Sequence, residues 1–149
     1  MYDKILLKYP DVFDGYKNFY EANIMRIKES AENYLEAILM INKQKGCVRS
    51  IDVANELGFS KASVSVAMKS FREDGYINVD PDGNLSLTEK GMEIATTIYE
   101  KHQIIAKILI AIGVSPETAY EDSCKIEHDL SNESFDRIKD YYTQNIENR

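Results

Sequence analysis

Apolar residues recur three and four positions apart between Ser30 and about Asn42, where they fall on one face of a helix. Gly46 follows shortly afterwards and is typical of a helix end. The pattern therefore predicts an amphipathic helix over this segment. Residues 1–29 precede it as an aromatic-rich N-terminal extension, for which the pattern indicates some helix but no defined boundaries.

Two shorter helices come next, separated by a glycine. Ser50 can cap a helix over Ile51–Leu57, Gly58 supplies a tight turn, and Ser60 can cap a third helix that ends near Gly75. The apolar residues of this third helix share one face, and its outer face is polar; the shared face holds Val64, Ala67, Met68 and Phe71. Two short helices joined by a glycine turn are typical of a helix-turn-helix.

A hairpin is predicted after these helices. Strand-like runs at residues 76–79 and 85–87 flank Asp80-Pro81-Asp82-Gly83-Asn84, whose composition is typical of a hairpin turn. A helix-turn-helix followed by a hairpin predicts a winged helix. We therefore assign residues 30–92 to a winged helix-turn-helix DNA-binding domain.

The rest of the chain reads as helical, so the predicted fold class is mainly α. Thr88 can cap a long helix that ends near Ile112, Ser115-Pro116-Glu117 can start another, and Ser131 can cap a last helix. The long helix is apolar on all sides from residue 104 to residue 112, so something should cover it. We expect a second copy of the chain to do so in a homodimer.

The charge pattern allows DNA binding despite a net charge of −7. Residues 45–72 carry a net charge of +3, whereas residues 115–149 carry −5. Since phosphate binding depends on Lys and Arg, the first segment could face DNA while the second collects cations. Small hydrogen-bond donors and cations of the third helix are the candidates for phosphate contact, together with one arginine before the second helix: Ser60, Lys61, Ser63, Ser65, Lys69 and Arg49.

A set of metal-binding residue types lies on the predicted helices. Cys124, Glu127 and His128 stand at helical positions i, i+3 and i+4, so sulfur, carboxylate and imidazole share one face. His102 lies on the preceding long helix, and the first helix offers Asn33 and Glu36 on one face. Taken singly, each of these six residues is more often structural. The prediction of a metal site rests on their joint occurrence, and residues 93–149 are assigned to a helical metal-binding and dimerisation domain.

The sequence from Ser30 to Tyr142 resembles the iron- and manganese-dependent repressor family of the diphtheria toxin repressor and the manganese transport regulator. The similarity lies in Ser-Ala-Glu-Asn-Tyr-Leu-Glu-Ala-Ile at residues 30–38, the helix-turn-helix, Glu100-Lys101-His102 and Asp122-Ser123-Cys124-Lys125-Ile126-Glu127-His128. The last motif is highly specific. The 149 residues contain no C-terminal SH3-like domain, as in the short, manganese-type architecture.

This resemblance implies a repressor that senses Fe²⁺ or Mn²⁺ and controls metal homeostasis genes. Its implied ligands are Glu36, His102, Cys124, Glu127 and His128, with Asn33 where the family has Asp or Met. A thiolate from Cys124 favours Fe²⁺, and Zn²⁺, Co²⁺ or Ni²⁺ could bind in vitro. The resemblance also places Ala62 and Val66 against the bases of a double-stranded DNA operator, where small apolar groups suit thymine methyls.

Other classes of protein fit the sequence less well. No apolar run approaches the length of a membrane span, and residues 1–20 do not read as a secretory signal, so we expect a cytoplasmic protein without a membrane partner. The sequence has no His-Glu-x-x-His helix or Gly-rich phosphate loop, which argues against an enzyme. The alternative left open is a winged-helix regulator that senses no metal and responds to a small molecule or partner.

Overall fold

The structure is a computed structural model that describes the backbone of residues 10–147 and side chains from Lys28 onward. Residues 1–9 of the predicted N-terminal extension lie outside the described residues. The chain divides into two units, residues 1–33 and 34–149. The predicted three-part division at residues 29 and 92 stays a prediction.

Helices dominate the described chain, and the two strands form one small antiparallel sheet. The elements are α1 (Pro10–Lys45), α2 (Ser50–Leu57), α3 (Lys61–Glu73), β1 (Ile77–Val79), β2 (Leu85–Leu87), α4 (Glu89–Ala111), α5 (Pro116–Ile126) and α6 (Asn132–Tyr142), followed by a π-helical turn at Thr143–Glu147.

Helix α1 is longer than the sequence pattern predicts, because it begins at Pro10 rather than at Ser30. Proline suits the first helical turn, where its missing N–H has no intrahelical partner. The prediction that the helix starts at Ser30 was wrong, because Ser30 lies inside a continuous helix. The apolar positions after it are buried as the spacing predicts, with Leu35 and Ile38 each 1% exposed.

The winged helix forms around one hydrophobic core. Helix α1 contributes Leu35 and Ile38, α2 contributes Val53, α3 contributes Val64, and the first strand contributes Ile77. As predicted, the Ser60 side chain caps α3 by accepting a hydrogen bond from the Ser63 N–H.

The predicted cap of α2 was wrong. Ser50 is the first helical residue of α2, and Arg49 precedes it in extended backbone. The carboxylate of Asp52 accepts a hydrogen bond from the Arg49 N–H at 2.8 Å. An acidic side chain in the first turn of α2 thus provides the hydrogen-bond acceptor for the backbone N–H group that precedes the helix.

The predicted hairpin is present, with Ile77 paired to Leu87 and Val79 paired to Leu85. In its turn, the Asp80 carboxylate accepts hydrogen bonds from the backbone N–H groups of residues 82 and 84 and from the side-chain amide of Asn84. Asn84 also bridges to Arg49, which ties the wing to the start of α2.

A close approach joins α3 and the wing to the start of α4. Thr88 caps α4 by accepting a hydrogen bond from the Gly91 N–H, and its hydroxyl donates to the Gly75 carbonyl at 2.7 Å. A Cβ atom on Gly91 would lie 2.1 Å from the Tyr76 carbonyl oxygen, so only glycine fits there. Helix α4 is therefore anchored directly to the segment that follows α3.

Helix α4 packs against α5 and α6, whose predicted caps, Ser115 and Ser131, are both confirmed. Ile104 is buried, whereas Ile112 at the end of α4 is 72% exposed. An apolar cleft of about 330 Å³ lies between α4, the end of α5 and α6. It is lined mainly by Ile105, Ile108, Leu109, Ile126, Leu130, Ile138 and Tyr141.

Among the described residues, none of the helices combines the length and apolar character that crossing a membrane requires.

Candidate metal centre and nucleic-acid interface

The predicted metal-binding residues come from α4 and from the end of α5. His102 lies in the middle of α4, and Cys124 lies in the last turn of α5. The helix ends at Ile126, so the prediction that Glu127 and His128 lie within it was wrong. Glu127 nevertheless keeps helical backbone angles, and its N–H donates to the Ser123 carbonyl. Cys124 and Glu127 therefore still lie on the same face, although the helix ends at Ile126.

Three donor atoms converge where these elements meet. The Nδ1 atom of His102 lies 2.9 Å from Oε2 of Glu127 and 3.5 Å from Sγ of Cys124. One ligand atom from each of these three residues lies within 4.8 Å of the others. A sulfur, a ring nitrogen and a carboxylate oxygen are together the donor types of a transition-metal site.

Glu127 is the most deeply buried member of the group, with its side chain 0% exposed. Its Oε1 atom lies 3.4 Å from Nε2 of His128, whose side chain is 4% exposed, but the geometry is not that of a hydrogen bond. Among the described residues, Oε1 is buried without a hydrogen-bond partner. Because a buried carboxylate oxygen is costly without a partner, this atom fits a role as a ligand to a cation.

The environment of His102 favours its protonated form. Hydrogen bonds to Cys124 and to Glu127 raise the pKa of His102 from 6.5 to about 10, although partial burial acts in the opposite direction. Without a cation, a proton on the imidazole thus supplies the positive charge between the thiol and the carboxylate.

Glu36 of α1 belongs to the same electrostatic cluster. Burial and, to a smaller extent, repulsion by Glu127 raise the pKa of Glu36 from 4.5 to about 7, against the lowering effect of His102 and His128. These interactions couple Glu36 of α1 electrostatically to Glu127, His102 and His128. Asn33 lies on α1 in the other unit of the chain, and its role stays a prediction.

The outer face of α3 carries the predicted DNA-binding residues. Val64 and Met68 face the core, whereas the side chains that sequence analysis assigned to DNA are exposed: Ser60, Lys61, Ala62, Ser63, Ser65, Val66 and Lys69. Val66 is 71% exposed, so its side chain is accessible for contact with another molecule. Arg49 is also exposed, beside the wing.

Two sequence profiles of known families match consecutive parts of the chain. The profile described as iron dependent repressor, N-terminal DNA binding domain, matches residues 26–85. The profile described as iron dependent repressor, metal binding and dimerisation domain, matches residues 88–146. The chain belongs to the iron-dependent repressor family. As a member of that family it is a metal-sensing, DNA-binding transcriptional regulator rather than a member of an enzyme family.

Individual relatives of this repressor agree with the profiles. An uncharacterised helix-turn-helix transcriptional regulator of Methanocaldococcus jannaschii is 36% identical over 115 residues, covering 76% of this chain and 92% of the relative. The transcriptional regulator MntR of Bacillus pumilus is 36% identical over 111 residues, covering 74% of this chain and 77% of the relative.

Solved structures support the same fold. The crystal structure of T. acidophilum IdeR matches with a TM-score of 0.66 at 25% identity, covering 75% of this chain. The repressor chain spans about half of that longer protein, 53% of its length.

Two residues near the donors were not among the predicted site residues of this repressor. Tyr120 stacks on His102, with ring centroids 5.7 Å apart and an angle of 26° between the planes. Lys101 is 6% exposed, and its Nζ atom donates to the Leu130 carbonyl at 3.3 Å, just after His128. The sequence offered one signal for each residue: Lys101 directly precedes His102, and Tyr120 lies one helical turn before Cys124.

Proposed function

We propose that Glu36, His102, Cys124, Glu127 and His128 bind Fe²⁺ or Mn²⁺ and that this binding controls the affinity of the repressor for its operator. The observation that carries the proposal is the convergence of His102, Cys124 and Glu127 within 4.8 Å, together with the buried Oε1 atom of Glu127, which has no hydrogen-bond partner among the described residues. Asn33, one turn before Glu36 on α1, is proposed as a further oxygen donor.

The chemistry of the donors supports a preference for Fe²⁺ over Mn²⁺. Carboxylates and imidazoles serve both ions, but the thiolate of Cys124 is a softer ligand that suits iron better. The description of the matching family also names iron. We propose Zn²⁺, Co²⁺ and Ni²⁺ as ions that the same donors accept in vitro.

Charge explains how these residues could act as a switch. Burial raises the pKa of Glu36 most, and repulsion by Glu127 adds to the rise, so the two carboxylates oppose each other's ionisation. A bound divalent cation supplies positive charge that offsets this repulsion. Glu36 on α1 and Glu127, directly after α5, can then bind the same cation. The shared ion would hold α1, the first helix of the winged helix, against α4 and α5.

We propose that α3 enters the major groove of operator DNA. The polar and cationic side chains at residues 60, 61, 63, 65 and 69 contact phosphate oxygens, with Arg49 beside the wing, while Ala62 and Val66 contact bases. Exposed small apolar groups on such a helix suit the methyl group of thymine. The regulated genes are those of metal homeostasis.

We propose that the repressor acts as a homodimer through the apolar side of α4 and α6. The cleft along α4 is lined mainly by aliphatic residues and by Tyr141, which is 58% exposed, and Ile112 at the end of α4 is 72% exposed. Burial of this surface by a second copy would bring two α3 helices to successive major grooves, which are about 34 Å apart. The proposed setting is the cytoplasm, and we propose no catalytic activity.

Elemental analysis of anaerobically purified protein tests the metal site most directly. We expect Cys124→Ala and His128→Ala to lose bound Fe²⁺ or Mn²⁺, and Cys47→Ala to keep it, since Cys47 is an exposed free cysteine outside the donor cluster. Equal metal content in all four proteins would contradict the proposal. Operator binding by Cys124→Ala that matches wild type would favour the regulator that senses no metal.

A further inference from the structure

The ring of Tyr120 covers one face of His102. Tyr120 lies on α5, one helical turn before Cys124, so the two side chains project from the same side of that helix. The centroids of its ring and of the His102 ring are 5.7 Å apart, with the planes at 26°. This is an offset stacked arrangement of the kind that contributes beyond simple burial.

Among the described residues, the hydrogen bonds of His102 meet its ring at a single atom. Cys124 and Glu127 both approach the same atom, Nδ1, and therefore fix one edge of the imidazole. The terminal torsion of a histidine side chain is broad and soft, so a ring held at one edge can still tilt. A second ring packed on its face removes that freedom.

Tyr120 is an exposed residue with no evident role in the core. It is 39% exposed, and its backbone carbonyl accepts a hydrogen bond from the buried Ser123 side chain. Cys124 is likewise exposed, so Tyr120 lies on the side of the donor cluster that faces solvent. A leucine would satisfy the helix at this position equally well, whereas only a planar ring provides the stacked face.

We propose that Tyr120 is a positioning residue for the metal centre, which holds the His102 imidazole in the orientation that directs Nδ1 towards Cys124 and Glu127. This inference rests on the proposed function, since it assumes that His102 is a ligand. Groups that orient a ligand commonly change metal affinity by about tenfold or more when removed.

The test compares Tyr120→Phe, which keeps the stacked ring, with Tyr120→Leu, which removes it. Mn²⁺ and Co²⁺ affinities are measured by chelator competition, and the absorption bands of bound Co²⁺ report the geometry and the thiolate contact. We expect Tyr120→Leu to bind roughly tenfold more weakly with altered Co²⁺ bands, and Tyr120→Phe to match wild type in both. Urea unfolding in chelator should show a cooperative transition for all three proteins, with Tyr120→Phe as stable as wild type, which separates positioning from folding.

Each outcome bears on a different statement. If Tyr120→Leu matches wild type in affinity and spectrum, the inference is wrong although the metal site stands. If Tyr120→Phe is as weak as Tyr120→Leu, the hydroxyl acts rather than the stacked ring, and the inference is again wrong. If wild type itself binds neither Mn²⁺ nor Co²⁺, the proposed function fails.

Discussion

The Nδ1 atom of His102 lies 2.9 Å from Oε2 of Glu127, although the two residues are 25 positions apart and come from different elements. This contact joins the middle of α4 to the turn after α5 and places two donor types of a metal centre side by side. Cys124 completes the group at 3.5 Å from the same nitrogen.

Metal binding is expected to release protons at pH 8. The pKa of His102 is raised to about 10 by Cys124 and Glu127, so the imidazole is protonated at pH 8 and must lose its proton to become a ligand. The affinity for Mn²⁺ should therefore increase between pH 7 and pH 9. Calorimetric titration with Mn²⁺ in two buffers of different ionisation enthalpy measures the release, and heats independent of the buffer would contradict it.

The same raised pKa predicts how the metal-free protein responds to alkaline pH. Since the folded state binds the His102 proton more tightly than the unfolded state, the stabilisation is complete below about pH 6.5 and is lost as pH rises through about 10. Urea unfolding in chelator should show this loss in wild type and a smaller one in His102→Gln. Parallel pH profiles for the two proteins would be inconsistent with it.

Glu36→Gln should stabilise the metal-free protein at pH 8 while weakening metal binding. Burial and the repulsion by Glu127 raise the pKa of Glu36 to about 7, so the ionised carboxylate opposes folding above that pH. The amide removes this charge, and we expect the free energy of unfolding to rise by roughly 1–3 kcal/mol. The measurement is urea unfolding in chelator at pH 8.

The pH dependence provides the control for Glu36→Gln. The difference between variant and wild type should fade as the pH falls from about 7 towards 4.5, because Glu36 is then protonated in the folded state and increasingly so in the unfolded state. A variant less stable than wild type at pH 8, or equally affected at both ends of this range, would refute the account of the repulsion.

Val66 and Lys69 should affect DNA binding in different ways. Val66 is 71% exposed, so Val66→Ala should leave folding unchanged and weaken binding only to operators with thymine at the contacted position. Lys69→Ala should weaken binding to all DNA sequences and reduce the slope of affinity against salt by about 1, as expected for a phosphate contact. Fluorescence anisotropy at several salt concentrations distinguishes them, and uniform weakening by Val66→Ala would contradict base contact.

Gly91→Ala should destabilise the junction between α3 and α4. The added Cβ atom would lie 2.1 Å from the Tyr76 carbonyl oxygen, which is backbone and cannot move cheaply. We expect a loss of roughly 2 kcal/mol in the free energy of unfolding. Met92→Ala is the matched control, since Met92 is the next residue and is 43% exposed. Equal thermal unfolding temperatures for the two variants would show that the junction tolerates the methyl group.

Local sequence signals predicted most of the fold. Ser60, Thr88, Ser115 and Ser131 were recognised as caps because capping is a short-range interaction between a side chain and the backbone N–H groups that follow. The start of α1 was not predictable in this way, since Ser30 carries a capping side chain but lies inside a helix that begins at Pro10.

The candidate site was predictable as a list of donors but not as a geometry. Helical spacing brought Cys124 and Glu127 together even though the helix ends between them. The stacking of Tyr120 on His102 and the hydrogen bond from Lys101 to the Leu130 carbonyl depend on how α4 packs against α5 and the turn after it. Such contacts between distant positions leave no periodic pattern in one sequence.

The most direct test of the central claim is operator affinity with and without metal. An operator is first selected from random double-stranded DNA in the presence of Mn²⁺, and its affinity is then measured by anisotropy with Fe²⁺, with Mn²⁺ and with chelator, under anaerobic conditions. The proposed coupling between Glu36, His102, Cys124, Glu127 and His128 predicts about fivefold to 150-fold tighter binding with metal, lost in Glu127→Gln. Equal affinity of wild type in metal and in chelator would contradict the claim.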